Sequence, residues 1–220
     1  MEEDPDHRPI ILLSERLEFP PLDFAKADGL LAIGGDLSPE RLLMAYMNGI
    51  FPWFNEGSPI LWWCPDPRMV LFPHKVVVSK SMRKVMAGNQ FSLTCNKAFK
   101  AVLDQCAIIP RKGQKGTWIG AEMKAAYQML HALGHATSYE VWEGNNLVGG
   151  LYGVDLGHVF CGESMFSKSS NASKFAFIHL ARELQQKKYR LIDCQIYNPH
   201  LESLGAEEIS RAEFVRILKE

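Results

Sequence analysis

The segment Leu191–Gln195 places two polar side chains, Asp193 and Gln195, among apolar neighbours. Because side chains alternate between the two faces of a β-strand, these two are predicted to share one face. A carboxylate and an amide are costly to bury without partners. Three interpretations stay open at this point: a pair that acts on a substrate, a solvated strand end, or a carboxylate held by an internal Arg.

Glu163 is a second isolated acid, within the apolar and small-residue segment Phe160–Phe166. Burial without a neighbouring cation raises the pKa of a carboxyl group. The cation that Glu163 requires belongs either to the protein or to a ligand. Leu151, Phe160 and Met165 lie near these acids along the chain, and they either line an apolar pocket or belong to the core.

Regular elements that would position these residues follow from apolar periodicity and turn signals in the C-terminal half. The predicted order is a helix, an antiparallel meander of three strands, a helix and a strand, at 121–133, 137–143, 147–154, 158–166, 172–187 and 189–195. A short helix from Asn198 and a last helix capped by Ser210 and Glu213 are predicted to complete the chain. Gly149, Gly150 and Gly153 mark either bulges or a close approach of a ligand or backbone.

The N-terminal part has fewer periodic segments. Ser38 and Pro39 predict the start of a helix that would bury Leu42, Leu43 and Tyr46. Proline-rich segments containing Trp53, Trp62, Trp63 and Trp118 are predicted to be stiff loops that expose aromatic surface. Val76–Val78 is predicted to be a strand. These features predict an α/β (α+β) protein with a small N-terminal α/β domain at 1–72 and a second domain at 73–220.

Charge is distributed unevenly, although the net charge is only −1. Residues 1–67 contain twelve acidic and four basic side chains, whereas residues 68–120 contain ten basic side chains and the single acid Asp104. Lys80, Arg83 and Lys84 would share one face of a helix capped by Ser79. This face is interpreted as a site for nucleic-acid phosphates, with a solvated basic surface as the alternative.

Several classes of protein are disfavoured by the sequence. No apolar run approaches the ~20 residues of a membrane span, and the acidic start lacks the features of a secretory signal. Five cysteines without a CxxC pair favour reduced thiols in the cytoplasm. The motifs of triad hydrolases, P-loop enzymes and dinucleotide-binding enzymes are absent, and no cluster with metal-ligand spacing is visible. No metal and no cofactor are therefore expected.

Seven short blocks occur in an order that resembles the bacterial leucyl/phenylalanyl-tRNA–protein transferase family. They span roughly residues 20–210, and they are Gly35–Ser38, Gly49–Trp53, Trp62–Arg68, Gly116–Ile119, Gly149–Gly153, Phe160–Ser167 and Leu191–Gln195. The resemblance implies a C-terminal domain of the GCN5-related N-acetyltransferase type. It also implies transfer of Leu or Phe from aminoacyl-tRNA to the α-amino group of proteins that begin with Arg or Lys, which marks them for degradation by the N-degron pathway.

Residue roles follow from the resemblance by position. Asp193 and Gln195 match the catalytic pair, Glu163 matches the acid that binds the acceptor's N-terminal Arg or Lys, and Asn198 matches a residue that positions the substrate. Trp53 and Trp118 match the aromatic residues around the 3′-terminal adenosine. The side chain that is transferred would lie in an apolar pocket formed by Leu151, Phe160, Met165, Phe177, Leu180 and Ile192. The expected partners are Leu-tRNA, Phe-tRNA and the acceptor proteins, without a membrane, and a monomer is expected.

Two other functions compete with this one. An acetyltransferase that uses acetyl-CoA would bind pyrophosphate on a glycine-rich loop before the central helix, and Ser167–Ala172 contains no glycine. An RNA-binding module without catalysis would retain the basic face but transfer no amino acid.

Overall fold

The computed structural model describes residues 9–109 and 118–220, which form two sheets and seven α-helices. The strands are β1 Ile11–Leu13, β2 Leu30–Gly34, β3 Phe51–Pro52, β4 Leu61–Trp63, β5 Arg68–Leu71, β6 Ser92–Cys95, β7 Ala136–Glu143, β8 Asn146–Asp155, β9 Val159–Ser167, β10 Leu191–Gln195 and β11 Glu207–Ile209. The helices are α1 Pro39–Met47, α2 Lys80–Ala87, α3 Phe99–Ile108, α4 Ala121–Ala132, α5 Ala172–Gln186, α6 Pro199–Glu202 and α7 Arg211–Lys219. The predicted mixed α/β class is confirmed.

The smaller sheet has the strand order β1-β2-β4-β3, and the larger one has the order β11-β5-β10-β9-β8-β7-β6. All neighbours in the larger sheet are antiparallel except β9 and β10, which run parallel. This parallel pair is short, because its register ends at Asp193 opposite Cys161. Beyond that point, β9 continues to Ser167 without β10 beside it.

Helices cover both faces of the larger sheet. Alternating side chains of β8, β9 and β10 pack on one face against α5, as Leu151, Phe160 and Ile192 do. Their neighbours on the other face join α3, α4 and the N-terminal elements in one apolar core, as Tyr152 and Cys161 do. A continuous core thus connects the two sheets.

The strand β5 belongs to the larger sheet, where it pairs with β10 and β11. This strand lies on the N-terminal side of the predicted domain boundary at 72/73, and the boundary itself stays a prediction. The contribution of β5 matters for function because it places Arg68 beside β10.

Most predicted elements of the C-terminal half are present within one to three residues of their predicted ends. Ser38, Ser79, Asn198 and Ser210 each accept a backbone hydrogen bond as the N-cap of a helix. Of the two explanations given for the glycines of β8, a close approach applies at Gly149 and a bulge applies at Gly153. A Cβ at Gly149 would lie 2.5 Å from the Cβ of Ala172 at the start of α5, and Gly153 lies at a register shift between β8 and β9.

Two predictions for the N-terminal part are wrong. Val76–Val78 is not a strand, since it follows a 3₁₀ turn and the Val77 amide donates to the carbonyl of Leu204 in a loop. Trp62 is fully buried within β4, where its indole N–H donates to the Gly34 carbonyl, instead of lying on an exposed loop. None of the helices in residues 9–109 and 118–220 has the length and apolar character needed to cross a bilayer.

Candidate active site

A cavity of about 600 Å³ lies where the pairing between β9 and β10 ends. Its volume is in the range of small-molecule sites. All twelve residues predicted to be catalytic or substrate-binding line this cavity: Asp193, Gln195, Glu163, Trp53, Trp118, Asn198, Leu151, Phe160, Met165, Phe177, Leu180 and Ile192. Residues widely separated along the chain therefore meet at one place.

The cavity has an apolar part and a polar part. Leu151, Phe160 and Ile192 come from the sheet face that packs on α5, and Phe177 and Leu180 come from α5 itself. The polar part lies on the opposite face of the sheet, where Glu163 meets side chains of α1 and α4. Because the ladder between β9 and β10 has ended, the two parts join through the gap between these strands.

Asp193 forms a buried ion pair with Arg68 at the start of β5. The Nε and Nη2 atoms of Arg68 donate to the two carboxylate oxygens of Asp193 at 2.8 and 2.7 Å, and each side chain is 1% exposed. Bidentate pairs of this kind are strong and fix the orientation of both groups. Of the three interpretations given by the sequence, a carboxylate held by an internal Arg is therefore observed, and it occurs inside the cavity.

The Arg68 guanidinium lies between two aromatic rings. Its central carbon is 4.8 Å from the ring centroid of Phe51 in β3 and 4.6 Å from that of Phe214 in α7. Burial lowers the pKa of Arg68, but the Asp193 carboxylate outweighs this effect and the pKa is raised. Arg68 is thus a permanent cation that connects the smaller sheet, the last helix and the site.

Gln195 has an unusual backbone, with φ at 67°, at the register shift between β10 and β5. This left-handed conformation is uncommon for residues other than Gly, Asn and Asp. The backbone N–H of Gln195 donates to Asp193 Oδ1 at 3.0 Å, which stabilises the bend. The simple alternation predicted for Asp193 and Gln195 thus ends at this bulge, and Asp193 orients Gln195 through the backbone.

The Glu163 carboxyl group receives three hydrogen bonds inside the protein. Oε1 accepts from Tyr46 Oη of α1 at 2.8 Å and from Gln195 Nε2 at 3.0 Å, and Oε2 accepts from Tyr127 Oη of α4 at 2.6 Å. The two tyrosine oxygens also lie 2.5 Å apart. Four elements therefore meet at one acid.

No Lys or Arg in the described part of the chain forms an ion pair with Glu163. Burial raises its pKa to about 7, against the lowering effect of the hydrogen bonds from Tyr127 and Tyr46. The cation that the sequence analysis required is thus not supplied by these residues. A raised pKa is the outcome expected for a buried acid without a neighbouring cation.

Trp53, Trp118 and Asn198 also line the cavity. Trp53 is 37% exposed, and its carbonyl accepts a hydrogen bond from the indole of Trp63. Trp118 is only 7% exposed, so the prediction that it presents aromatic surface is wrong. The Asn198 side-chain oxygen accepts from the His200 amide as the cap of α6. Gly116 and Thr117 of the block Gly116–Ile119 lie outside the described residues, as does the basic segment 111–115 of the sequence.

Sequence reasoning missed Arg68, Tyr46 and Tyr127 as members of the site. Arg68 closes one of the seven blocks, so a cation directly after a proline-rich segment was a usable signal. Tyr46 was predicted only to be buried by its helix, and Tyr127 lies within the predicted helix 121–133. A buried phenol needs a hydrogen-bond partner, which was a usable signal. Among the described residues no group of three or more His, Cys, Asp and Glu has the geometry of a metal site.

Comparison with known proteins decides which family has this site. A model of the leucyl/phenylalanyl-tRNA protein transferase matches residues 70–219, and a model of the N-terminal domain of the same enzyme matches residues 35–66. The chain belongs to the leucyl/phenylalanyl-tRNA protein transferase family. It is therefore an enzyme of the aminoacyl-tRNA transferase type.

Relatives at high identity cover nearly the whole chain. A leucyl/phenylalanyl-tRNA–protein transferase of Flavobacterium johnsoniae is 63% identical over 94% of this chain and 98% of its own length. The protein of the same name from Syntrophus aciditrophicus is 53% identical over 96% of this chain and 88% of its own length. The resemblance inferred from seven short blocks is confirmed.

Solved structures with a similar arrangement have low sequence identity. A GCN5-related N-acetyltransferase from Kribbella flavida is 9% identical with a TM-score of 0.38, over 78% of this chain and 61% of that chain. A structure of L-PGS from Bacillus licheniformis is 14% identical with a TM-score of 0.39, over 74% of this chain and 55% of that chain. The family assignment rests on the sequence matches alone.

Proposed function

We propose that this enzyme transfers Leu or Phe from aminoacyl-tRNA to the α-amino group of proteins that begin with Arg or Lys. The new N-terminal residue marks the acceptor for degradation by the N-degron pathway. The observation that carries this proposal is the cavity, in which an apolar slot, an acid that pairs with no cation among the described residues, and a fixed amide lie together. Each of these three features suits one part of the two substrates.

The apolar slot suits the side chain that is transferred. Phe160, Phe177, Leu180 and Ile192 are all at most 3% exposed, so a charged side chain would lose its hydration there without a partner. Leu and Phe gain from the same burial. An apolar pocket discriminates only modestly between similar apolar side chains, by about 1–3 kcal/mol per methylene.

The chemistry is direct aminolysis of the ester. The acceptor nitrogen attacks the aminoacyl carbonyl carbon, a C–N bond forms, and the bond from that carbon to the ribose oxygen breaks. An α-amino group has a pKa of roughly 7.7–8, so an appreciable fraction is neutral without a strong base. Well-oriented groups in such reactions reach effective molarities of roughly 10⁵–10⁸ M, so positioning can supply much of the acceleration.

Gln195 is proposed to hold the attacking amine in line. Because its Nε2 donates to Glu163, its Oε1 is the atom that remains to accept a hydrogen bond from that amine. An amide oxygen is a very weak base, so the proton passes to the leaving ribose oxygen or to water. Asp193 acts through the Gln195 backbone, and Asp193→Ala is expected to reduce turnover tenfold or more.

Glu163 is proposed to select the acceptor, and this is the experiment that tests the function. Transfer of labelled Leu from Leu-tRNA to a peptide that begins with Arg is measured for the wild type and for Glu163→Gln. We expect Glu163→Gln to weaken the binding of peptides that begin with Arg or Lys and to leave the affinity for Leu-tRNA largely intact.

Glu183→Gln is the matched control, since Glu183 also accepts from a tyrosine, Tyr139, but lies outside the cavity. If Glu163→Gln reduces peptide and Leu-tRNA binding equally, Glu163 does not select the acceptor. If the wild type binds tRNA and labels no peptide, the proposed transfer itself is refuted.

The helix α2 is proposed to contact the tRNA backbone. Lys80, Arg83 and Lys84 are exposed on it, while Met82 packs inward. Alanine at these three positions should weaken all tRNAs alike and flatten the dependence of affinity on salt, by roughly 0.7–0.9 in slope for each phosphate that the variant no longer neutralises. Arg216→Ala with Lys219→Ala, two exposed cations on α7, serves as the control. An unchanged slope would restore the solvated-face interpretation.

A further inference from the structure

The polar contacts around Glu163 require more protons than an ionised carboxylate provides. Tyr46, Tyr127 and Glu163 form a triangle with oxygen–oxygen distances of 2.5, 2.6 and 2.8 Å. Each short contact needs one proton between its two oxygens. The two phenols supply two protons, so three contacts are satisfied only when the carboxyl group supplies the third.

An ionised Glu163 would leave one side of this triangle as two oxygens facing each other without a hydrogen. Both phenols would then donate to the carboxylate, and the 2.5 Å contact between Tyr46 and Tyr127 would be repulsive. With a protonated carboxyl group one of the two tyrosine–Glu163 contacts reverses, because the carboxyl O–H donates to that phenol. The three groups then donate in a circle, each donating once and accepting once. Gln195 Nε2 adds a fourth donor from outside the triangle.

The groups that face Glu163 from the surrounding elements act on its ionisation in opposite directions. Burial, the largest effect, and the Asp193 carboxylate raise its pKa. Hydrogen bonds from Tyr127, Tyr46 and Gln195 lower its pKa. The α1 and α4 helices contribute Tyr46 and Tyr127, whose pKa values are raised by burial, so both stay protonated. On β9, burial likewise raises the pKa of the Cys161 thiol. The strand β10 contributes Asp193, a second carboxylate, and the nearby cation Arg68 of β5 is already bound to it.

We propose that Glu163 is a neutral carboxylic acid in the empty enzyme, and that a cationic side chain of the acceptor binds by displacing its proton to water. This extends the proposed function and rests on it, because it assumes that Glu163 receives the acceptor's Arg or Lys. The acid and the cation form an ion pair, and at a pH well below 7 one proton is released for each peptide bound. Tyr46 and Tyr127 then both donate to the carboxylate and their oxygens move apart.

Such an exchange makes acceptor choice dependent on pH. Below the pKa of the carboxyl group, which burial raises to about 7, a cationic peptide must compete with the proton, so its affinity should fall about tenfold per pH unit. Above that pH the acid is ionised before the peptide arrives and this dependence ends. A peptide that begins with an uncharged side chain gains nothing from the ion pair at either pH.

The test observes the carboxyl group directly. The protein is labelled with ¹³C at the side-chain carboxyl carbon of Glu, and the Glu163 signal is identified by its loss in Glu163→Gln. We expect this signal to titrate with a midpoint about 7 in the free protein. At pH 6, adding a peptide that begins with Arg should shift it to the ionised position, whereas the same peptide beginning with Gln should not.

Two variants refine the test. Tyr127→Phe opens the triangle and should shift the midpoint, while Tyr139→Phe removes a phenol that donates to Glu183 elsewhere and should not. A Glu163 signal that is already ionised at pH 6 in the free protein would overturn the inference. So would an Arg peptide that binds without ionising it. Either result overturns only this proton exchange; the proposed transfer is refuted separately, by a wild type that binds tRNA and labels no peptide.

Discussion

Two carboxyl groups in the same cavity have opposite surroundings. Asp193 is 1% exposed, and its two oxygens accept hydrogen bonds from the guanidinium of Arg68, a cation that belongs to the protein. Glu163 receives two phenols and an amide but no internal cation among the described residues. The difference lies in which charge the fold provides: the ion pair of Asp193 is complete before any substrate arrives, while that of Glu163 is not.

This contrast assigns different tasks to the two acids. A carboxylate held on both oxygens by an internal Arg cannot change partners without a large cost, so Asp193 is suited to fix the geometry of Gln195. A carboxyl group held by neutral donors can gain a cation, so Glu163 is suited to recognise one. These surroundings support the proposed roles, with Asp193 as a positioning group and Glu163 as a recognition group.

The largest effect is expected when the internal pair is broken. Arg68→Ala leaves the Asp193 carboxylate buried without its cation and should lower the free energy of unfolding by about 3–5 kcal/mol. Urea denaturation of the wild type and the variant measures this difference.

The double variant Arg68→Met with Asp193→Leu is the control. It removes both charges, so it should recover much of the stability. Transfer activity should stay low, because the backbone N–H of Gln195 has lost its acceptor on Asp193. A double variant as unstable as Arg68→Ala, or one with normal activity, would contradict the role assigned to Asp193.

A smaller effect, dependent on pH, is expected from the acid without a cation. The native pKa of Glu163 is raised from 4.5 to about 7, so between these values the native state keeps a proton that the unfolded chain has released. Stability contributed by this group is therefore full below about pH 4.5 and is lost as pH rises towards 7, by at most about 1.4 kcal/mol per pH unit. The measurement is the unfolding free energy of the wild type minus that of Glu163→Gln across this range.

Glu183→Gln provides the comparison for that series, since Glu183 lies on α5 outside the cavity and is partnered by Lys187 and Tyr139. The unfolding free energy of the wild type minus that of Glu183→Gln should not fall in the same way as pH rises. A difference for Glu163→Gln that is flat between pH 5 and pH 7 would show that Glu163 is ionised in the native state.

The smallest effect is expected at an ion pair that is exposed. Lys75 and Glu207 form a salt bridge in which both side chains are more than 40% exposed. Lys75→Ala should change the free energy of unfolding by no more than about 1 kcal/mol, and less in high salt. Denaturation at two salt concentrations checks this, and a loss comparable with that of Arg68→Ala would remove burial as the cause of the contrast.

The C-terminal half was predictable because its elements are encoded locally. The strands β7, β8 and β9 and the helices α4 and α5 have strong periodicity and turn residues at their ends. The smaller sheet was missed because its strands have only two to five residues, and because β3 and β4 lie in segments rich in proline, where short-range patterns are weak. Strand β4 was interpreted as a loop for this reason.

The resemblance predicted which residues belong to the site, but it did not predict the hydrogen bonds and ion pairs between them. The twelve predicted cavity residues lie together, although their individual roles stay predictions. Arg68 and Asp193 are 125 residues apart, and Tyr46 lies 117 residues from Glu163. Contacts of that separation depend on how the sheets and helices pack, and no local pattern specifies them.

The aromatic enclosure of Arg68 has a consequence for the order in which the enzyme is completed. Phe51 belongs to the first quarter of the chain and Phe214 to its final helix. While the ribosome is still making the protein, the guanidinium has only one of its two rings until residue 214 has emerged. A chain that lacks this last segment therefore lacks one of the two rings that pack on the Arg68 guanidinium.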